Sequence, residues 1–532
     1  MPRVSSSARR AISPTTRASG VISRRGRRNW KDKSVAVAEF ETPRLKEYPV
    51  IPILQAGAMA HSRPFVAAAP IQKALGFPGE LVENWQEKAI AKMGELLGKY
   101  RSLKVYLDAC VHCGACADKC HYFLGTGDPR NMPVARQDLM RKIYRRYFTV
   151  AGKVFPKLVG AADLTRDVLD EWYTYFNQCS ECRRCSVFCP YGIDTAEITM
   201  AAREIMDSVG MGQKYSNEII GKVHKIGNNL GLPGPALENT LAGLEEDIKD
   251  ATGVDVKLPL DVEGAEVLLV TPSADFFSEP HVESLIGYAK VFHQAGISWT
   301  LSSHASEAGN FGLFIGNYEQ MRKISMRVRE AALELGVKRI AVGECGHAWR
   351  VAYSFWNTLI GPFDFLDPNH PVPQHICEIT YDLIRRGALT LDRDANDERI
   401  VTFHDSCNVA RASRMGSMPR GQFIIPREII KACVNHFHDM APETIYESTY
   451  CCGGGGGLLS DDLIELRVKG ALPRMEALKQ VVDAHGVNFM ATICAICKAQ
   501  FSKVLPYYKF DMGMVGGVHQ LVGSAIRLGA KQ

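Results

Sequence analysis

Cysteine spacing is the feature that most restricts how this chain can fold. The sequence has 532 residues and sixteen cysteines, and two stretches, CVHCGACADKC and CSECRRCSVFC, follow the form C-x2-C-x2-C-x3-C. This spacing wraps three thiolates round one corner of a cubane and indicates [4Fe–4S] ligation. Structural zinc is the alternative, and it is disfavoured because zinc sites use C-x2-C pairs separated by longer gaps. The eight cysteines are Cys110, Cys113, Cys116, Cys120, Cys179, Cys182, Cys185 and Cys189.

The fourth cysteine of each run is expected to cross to the other cluster, as is usual in two-cluster ferredoxins. His121 follows the first run where proline is usual, and this change removes no ligand. A crossed pair would hold the clusters close together despite the long insert between the runs. The expected ligand sets are Cys110, Cys113 and Cys116 with Cys189, and Cys179, Cys182 and Cys185 with Cys120.

Charge and hydropathy exclude several classes of function. The first 31 residues hold nine arginines and lysines and no acid, so we predict a disordered arm that is either solvated or in contact with anionic lipid or an acidic partner. No apolar stretch approaches the ~20 residues that span a bilayer, so a membrane role would require a partner. No zinc-finger spacing or base-stacking pattern predicts nucleic-acid binding. No apolar region follows Ser23-Arg24-Arg25 to predict export.

From Ala265 onward, short apolar runs alternate with helical segments, which predicts parallel α/β sheets. The runs are AEVLLV, ISWTL, RIAVG, RIVTF and NFMATI. The block also reads as two copies of one unit, because LLVTPSAD resembles IVTFHDSC, NFGLFIG takes the place of YCCGGGG, and IAVGECGHA resembles MATICAICK. We infer a pseudo-twofold pair in which only Cys345 marks the site of the first copy. Chance similarity between short strands is the alternative.

A third group of cysteines lies in the second copy, at Cys407, Cys451-Cys452 and Cys494-x-x-Cys497. Adjacent side chains point to opposite faces of a strand, so the neighbouring thiolates can bind one target only where the backbone bends. Five glycines after Cys452 permit that bend and let backbone N–H groups approach sulfur. Zinc is again the alternative, but a zinc site could not use the electrons that the other eight cysteines imply.

This arrangement resembles the CCG domain of heterodisulfide-reductase-like iron–sulfur proteins, over residues 265–532. The resemblance implies a multidomain α+β and α/β fold, with a mainly helical ferredoxin-like domain for two [4Fe–4S] clusters followed by a pseudo-twofold pair of α/β CCG units. It also implies a non-cubane four-iron cluster on Cys407, Cys451, Cys452, Cys494 and Cys497. Within the family, TPSADFFSEPH, GECGHAW, the basic arm and the order of the blocks most resemble the DsrK subunits of DsrMKJOP sulfur-metabolism complexes.

The resemblance implies an oxidoreductase that acts on sulfur groups. An integral membrane haem or quinone subunit would exchange electrons with a disulfide or trisulfide on a small sulfur-carrier protein of the DsrC type. The chain would then lie in the cytoplasm, peripheral on the inner face of the cell membrane through its partner subunits. The alternative is an electron-transfer subunit of a heterodisulfide reductase or of a flavin-dependent hydroxy-acid dehydrogenase.

Three further residues are candidates for the site: Cys345, His347 and His404. A histidine near a thiol-exchange site can protonate a leaving thiolate, although a histidine at a strand end is often an ordinary hydrogen-bonded residue. Cys345 is either a contact of the cluster or substrate, or a small buried hydrophobe. The predicted boundaries are a basic arm and extended segment at 1–75, a ferredoxin-like domain at 76–225, a linker at 226–260, a degenerate CCG-like unit at 261–395 and the CCG unit at 396–532.

Overall fold

The computed structural model describes residues 80–528, so the predicted arm at 1–75 lies outside the described residues. The first part of the described chain is helical and carries both cysteine runs. No helix within residues 80–528 combines the length and apolarity needed to cross a bilayer. The helices are α1 (Trp85–Lys99), α2 (Arg101–Ala109), α3 (His121–Thr126), α4 (Pro133–Phe148), α5 (Val150–Val154), α6 (Arg166–Asn177), α7 (Arg184–Val187), α8 (Thr195–Ser208), α9 (Lys214–Ile226) and α10 (Gly234–Thr252).

Helix α10 corrects the prediction of a linker at 226–260. Its apolar residues bury one face against the first α/β unit through Leu237, Leu241, Leu244 and Ile248. Pro233 stands immediately before the helix, and Gly253 ends it in the left-handed conformation. Proline before a segment and glycine after it mark the ends of helices as well as loops. The helical spacing of the leucines between them indicates that this segment is a helix.

Two four-stranded parallel sheets follow, and they share one topology. Their orders along the sheet are β2-β1-β3-β4 and β6-β5-β7-β8. The first unit contains β1 (Val267–Val270), α11 (Val282–Ala295), β2 (Trp299–Thr300), α12 (Asn310–Phe314), α13 (Tyr318–Glu334), β3 (Arg339–Val342), α14 (Gly346–Val351), α15 (Asn357–Ile360), β4 (Gln374–His375) and α16 (Ile376–Arg385). The second contains β5 (Ile400–His404), α17 (Cys407–Ala412), α18 (Gly421–Cys433), β6 (His436–Phe437), α19 (Ile464–His485), β7 (Phe489–Thr492), α20 (Ala495–Val504), β8 (Val515–Gly517) and α21 (Val518–Ala525).

The predicted apolar runs form the strands β1, β2, β3, β5 and β7. Their residues are largely buried, as expected of a parallel sheet covered on both faces. The sequence patterns did not reveal β4, β6 and β8. These are edge strands of two or three residues, and β8 contains two glycines, so they carry too little apolar pattern to be recognised.

The two units pack through equivalent helices, which confirms the predicted pseudo-twofold pair. Helix α11 packs on α21, and α16 packs on α18. In each pair, one member follows the first strand of its sheet and the other follows the last. The α11–α21 crossing is close because a Cβ at Gly287 would lie 2.0 Å from the carbonyl oxygen of His519. Gly523 faces Gly287 across the same crossing.

The ferredoxin-like domain is docked on the CCG unit by a second close helix crossing. Helix α3 packs against α19, and a Cβ at Gly125 would lie 1.8 Å from the carbonyl oxygen of Lys469. His121 bridges the domains, since its Nδ1 lies 2.7 Å from the Gly470 carbonyl oxygen and its Nε2 lies 2.8 Å from Ser180 Oγ. The histidine that replaces the usual proline therefore fixes the position of the domains relative to each other.

We predict that Gly287→Ala lowers the free energy of unfolding by about 1–3 kcal/mol, because a methyl group has no space at the α11–α21 crossing. Gly243→Ala is the matched control, since it lies within α10 and a Cβ there meets no atom within 4 Å. The control should be neutral or stabilising by up to ~1 kcal/mol, because alanine favours the helix. Thermal unfolding at equal iron content measures both, and equal midpoints would contradict the close crossing.

Candidate iron–sulfur and thiol site

The structure brings cysteines of the two runs together at two sites, and the ligand sets themselves stay a prediction. Cys110, Cys113, Cys116 and Cys189 line one small cavity, which Cys185 also borders. The other site lies deeper. Burial is the main cause of the raised pKa of the Cys185 thiol, and the nearby Cys179 and Cys120 raise it further. Cys189 thus lies beside the first three cysteines of the first run, and Cys120 lies near Cys179 and Cys185 of the second run.

Cys182 departs from this simple division. Its thiol lies beside that of Cys451, and this interaction, followed by burial, raises the pKa of Cys182 well above its ordinary value, while Cys185 also lies nearby. Cys182 therefore adjoins both the second ferredoxin site and the CCG site. Sequence patterns could not show this contact because nothing in the local spacing records which way the third domain faces.

The CCG cysteines gather at the carboxyl ends of strands β5 and β7. Cys407 begins helix α17 three residues beyond the end of β5, and Cys494 stands immediately before α20. Cys407 Sγ lies 4.0 Å from Cys451 Sγ. All five thiols are buried in one apolar cluster that includes Phe314, Ile445 and Phe501. Parallel sheets commonly hold their ligands at this edge.

The buried thiols form a continuous row in which each thiol affects the pKa of its neighbours. From Cys451 it passes through Cys452 and Cys497 to Cys494. Hydrogen bonds from Cys182, Cys407 and Cys452 lower the pKa of Cys451 well below that of an ordinary thiol. Burial raises the pKa of Cys494, but hydrogen bonds from Cys345, Cys497 and His347 outweigh it and lower the value well below normal.

This donor set fits iron–sulfur clusters. Every cysteine within residues 80–528 is a free thiol, and thiolates are the soft ligands that such clusters use. Burying these thiols as thiolates would be costly without a cation to share their charge. The cysteine chemistry at all three sites is therefore consistent with bound iron.

Cys345 lies opposite Cys494 at the equivalent point of the first unit. Both residues stand directly before a helix in the same extended conformation, with φ of −137° and −141°. Their thiols are neighbours, and this interaction, followed by burial, raises the pKa of Cys345 well above its ordinary value. The pseudo-twofold relation thus brings a cysteine of the first unit into the thiol chain of the second.

His347 lies between the two units and has a defined tautomer. Its Nε2 lies 2.8 Å from Asn408 Nδ2, which is a donor, so Nε2 accepts and Nδ1 carries the hydrogen. Nδ1 faces Cys494 Sγ at 3.8 Å. Asn408 also donates to Cys407 Sγ at 3.5 Å. The sequence patterns identified His347 but not Asn408, whose position next to Cys407 was the available signal.

His404 is buried close to the same thiols but contacts none of them through a hydrogen bond. Both ring nitrogens lack a hydrogen-bond partner among the described residues, and the ring meets Phe501 edge-on at 4.9 Å. Burial, followed by the charge of Arg474, lowers its pKa well below the ordinary value. The ring of His404 therefore lies near the thiols without contacting one, whereas His347 faces Cys494, and a role for His404 stays a prediction.

The glycine run is the surface on which the ferredoxin loop docks. Gly453 N donates to Cys451 Sγ at 3.4 Å, as the sequence predicts for a bent backbone beside sulfur. The other glycines serve the domain contact. A Cβ at Gly456 would lie 2.7 Å from the carbonyl oxygen of Cys179, and one at Gly457 would lie 2.0 Å from Gln213 Oε1. Both glycines also have positive φ, at 68° and 85°, where larger residues are strained.

A cleft of about 340 Å³ opens beside this site between the two units. Cys345, Gly454 and Gly457 form its inner end. The walls are mainly apolar and include Ile219, Leu230, Pro272, Phe311, Phe314 and Ile496.

Two buried polar residues, His281 and Glu307, also line the cleft. His281 Nε2 donates to the Ala495 carbonyl at 2.8 Å, and its Nδ1 has no partner among the described residues. Glu307 Oε1 accepts from Ser273 Oγ at 2.7 Å. The wall of the cleft thus carries an unused acceptor and a carboxyl group that no motif in the sequence indicated.

A buried charged group joins the units behind the cysteines. Lys498 Nζ lies 3.3 Å from Glu344 Oε2, and both side chains are fully buried. Ser284 donates to the same carboxylate oxygen, and the His519 ring and backbone N–H lie within 2.8 Å of the other. Burial opposes the ionised form, but Lys498 and His519 outweigh it and lower the pKa of Glu344 to about 2. This network links the residue before Cys345 to the residue after Cys497.

We predict a pH-dependent stability from Glu307, because burial raises the pKa of its carboxyl group to about 7 from an ordinary value of 4.5. The protonated Glu307 carboxyl stabilises the fold fully at pH values below its pKa in the unfolded state. This stabilisation is lost as the pH rises through the folded-state pKa of about 7. Glu307→Gln mimics that form, so its stability relative to the wild type should rise by about 3 kcal/mol between pH 4.5 and 8.

Denaturant unfolding across this pH range measures the difference. Glu246→Gln, at an exposed position of α10, is the matched control and should show no such change. A stability difference for Glu307→Gln that stays constant with pH would mean that the carboxyl titrates normally.

Comparison with known proteins agrees with this organisation. Residues 106–193 match the model of a 4Fe-4S dicluster domain, and residues 401–502 match the model of a cysteine-rich domain named CCG. The two matched segments contain all eight cysteines of the runs and all five CCG cysteines. They omit the first α/β unit, in which only Cys345 contributes to the thiol chain.

Several relatives match over nearly the whole chain. The Hdr-like menaquinol oxidoreductase iron-sulfur subunit 2 of Archaeoglobus fulgidus is 42% identical, covering 94% of this chain and 92% of that protein. The Hdr-like menaquinol oxidoreductase iron-sulfur subunit of Archaeoglobus profundus is also 42% identical, over 85% of each chain. One subunit of the dihydromethanophenazine:CoB–CoM heterodisulfide reductase of Methanosarcina mazei is 23% identical, over 80% of this chain and 95% of its own.

The finer resemblance to DsrK subunits stays a prediction. Two cysteine runs that meet at two sites, a chain of CCG thiols between paired α/β units, and relatives of this identity and coverage lead to one assignment: this chain belongs to the heterodisulfide-reductase-like family of iron–sulfur oxidoreductase subunits.

Proposed function

We propose that this chain is the iron–sulfur subunit of a membrane-associated complex that exchanges electrons between a quinone or haem partner subunit and a disulfide or trisulfide of a small sulfur-carrier protein. The observation that supports this most strongly is the continuous chain of thiols from Cys182 to Cys345, which ends at an open cleft. Electrons that reach the second ferredoxin site need to cross no further protein layer before the CCG site. A substrate sulfur in the cleft meets the far end of the same chain.

Thirteen cysteines would hold the clusters. One [4Fe–4S] cluster falls to Cys110, Cys113, Cys116 and Cys189, and the second to Cys120, Cys179, Cys182 and Cys185. A non-cubane four-iron cluster falls to Cys407, Cys451, Cys452, Cys494 and Cys497. When bound, these groups supply one-electron redox chemistry that the side chains alone lack.

The chain's own residues then position the sulfur atoms and exclude water. His347 presents its Nδ1–H to Cys494, and Asn408 holds the imidazole in that tautomer while donating to Cys407. Hydrogen bonds to sulfur favour its charged form. The apolar walls of the cleft exclude bulk water, and the Nδ1–H of His347 can stabilise a charged Cys494 sulfur as a hydrogen-bond donor.

The shape of the cleft indicates the kind of substrate. Its inner end lies among buried residues of both units and the glycine loop, so a flat protein surface cannot reach Cys345. A flexible, cysteine-bearing tail of a carrier protein can enter it. The proposed location is the cytoplasmic face of the membrane, through contact with partner subunits.

A pure electron-transfer subunit is the second candidate. On that hypothesis the chain passes electrons from a flavin-dependent dehydrogenase to quinone and meets no substrate. The two ferredoxin-type sites would serve either function. The cleft beside Cys345 distinguishes the two hypotheses, because a subunit that only transfers electrons does not need a substrate-binding cleft.

We predict that the anaerobically purified protein carries about twelve irons, four in each of three clusters. Addition of a synthetic peptide with one cysteine to the oxidised protein should give a new paramagnetic signal. Cys452→Ala should lose about four of these irons and the signal. We choose Cys452 because Cys451 also contacts Cys182, so its loss could disturb the second cubane.

Cys433→Ala is the matched control, since Cys433 is equally buried but lies in a different apolar cluster from the five CCG cysteines. It should keep both the iron and the signal. Zinc in place of iron would contradict the cluster assignment. Full iron with no response to the thiol would favour the electron-transfer subunit.

We predict that Cys345→Ala and His347→Ala slow disulfide reduction by about 10- to 100-fold, the effect of losing one hydrogen bond to a charged group, while iron content stays unchanged. Cys377→Ala, a buried cysteine of the same unit, is the control and should retain its rate. Steady-state rates measured beside iron counts test this. Unchanged turnover in both variants would exclude a role for the first unit, and loss of iron with activity would make both residues structural.

A further inference from the structure

A compact knob projects from the ferredoxin-like domain between helices α4 and α6. Its backbone is well tied: Phe155 N–H donates to the Ala151 carbonyl at 2.7 Å, and Arg145 Nη1 donates to the Val159 carbonyl at 2.8 Å. Thr149 caps helix α5 by accepting from Gly152 N–H at 3.1 Å. Residues 149–162, which we call the knob, therefore have a defined shape rather than that of a loose loop.

The knob exposes four large apolar side chains within nine residues. Leu158 is 84% exposed, Val150 80%, Phe155 61% and Val154 59%. Single exposed apolar residues are common on soluble proteins, but a contiguous group of them marks an interaction site. These side chains project outward from the domain core, which is formed by other residues of α4 and α6.

The charge of this segment is entirely positive. From Leu139 to Ala162 the sequence contains no aspartate or glutamate. Lys153 and Lys157 are exposed and lie on the knob itself, between its apolar residues. The basic residues of the segment are Arg141, Lys142, Arg145, Arg146, Lys153 and Lys157.

We propose that the knob is a lipid-binding surface that inserts its apolar side chains into the interface of an anionic bilayer. Apolar residues at a protruding tip with lysines beside them are what an interfacial anchor requires. The apolar groups enter the boundary of the acyl chains, while the long lysine side chains reach back to the head groups. Anionic lipids attract basic residues near their surface. Arg141 pairs with Asp138 and Arg146 with Asp163 at the base of the knob, which leaves Lys153 and Lys157 on the knob itself for the lipid.

A bilayer is a better occupant than a protein groove because the exposed groups form a convex tip with positive charge on it. The proposal does not depend on the redox chemistry proposed above. It does give that chemistry an orientation. Val134, near the start of α4, lines the cavity of Cys110 and Cys116, and the knob follows the other end of the same helix. Since α4 rises 1.5 Å per residue, the first cluster site lies roughly 20 Å along the helix from the knob.

Sedimentation with extruded vesicles tests the proposal on the full-length protein. One set contains phosphatidylcholine alone and the other equal parts of phosphatidylcholine and phosphatidylglycerol. We expect the wild type to bind the anionic vesicles, and we expect Phe155→Ser with Leu158→Ser to weaken that binding about tenfold or more, because both large apolar groups are lost from the membrane. Lys153→Gln with Lys157→Gln should weaken binding to anionic vesicles in a salt-dependent way.

Leu333→Ser with Val372→Ser is the matched control. These two residues are also exposed, at 49% and 57%, but they lie in the first α/β unit. The control should bind as the wild type does. The basic residues at 1–31 are present in every variant, so any binding they cause is common to all.

Two outcomes overturn the proposal. Absence of wild-type binding to either vesicle set would mean that the knob meets a protein partner instead. Equal binding by the wild type, the apolar variant and the lysine variant would place the lipid contact elsewhere in the chain. Iron content reports whether each variant folds. If the serine variant fails to fold, the lysine variant still tests the proposal, because its substitutions remove no apolar packing.

Discussion

One buried guanidinium group holds the three parts of this molecule together. Arg203, on helix α8, donates to Glu181 Oε1 at 2.9 Å and to the Cys179 carbonyl at 2.6 Å within the ferredoxin-like domain. The same group donates to the Phe314 carbonyl of the first α/β unit and to the Gly456 carbonyl of the second. A buried arginine is always charged, and leaving one of its partners absent is strongly destabilising. The hydrogen bonds of Arg203 can therefore all form only when the three units are packed together.

This junction explains why the thiols can form a chain at all. Cys179 and Gly456 are both fixed by Arg203, and they bring the second cysteine run against the glycine loop that follows Cys452. Cys182 then meets Cys451. The exposure of the sulfur sites falls along the route, from an exposed Cys113 in the first run to fully buried thiols in the CCG unit. Reduction potential depends on solvent exposure and on hydrogen bonds to sulfur, so the fold gives each site a different environment.

Local patterns in the sequence predicted the parts, and long-range contacts decided how the parts meet. The spacing of the two cysteine runs and the apolar runs of β1, β3, β5 and β7 are local signals, and the structure agrees with them. The contact between Cys182 and Cys451 joins positions 269 residues apart in the chain, and no spacing rule records it. Helix α10 was mistaken for a linker because proline and glycine mark helix ends and loops alike. The exposed knob could not be recognised either, since the same apolar residues would suit a core.

The first α/β unit shows how a duplicated fold can supply a wall instead of a second cluster. Gly316 and Gly456 stand at equivalent points of the aligned sequences and have nearly the same φ, 69° and 68°, although Asn310–Phe314 is helical and the glycine run is not. In the aligned sequences, however, Phe311 and Gly312 replace Cys451 and Cys452. Phe311 and its neighbour Phe314 face the cleft, and Phe314 meets the His347 ring edge-on at 5.0 Å. Loss of the sulfur ligands thus left aromatic groups that shape the cleft, while the shared geometry at Cys345 still delivers one thiol to the opposite site.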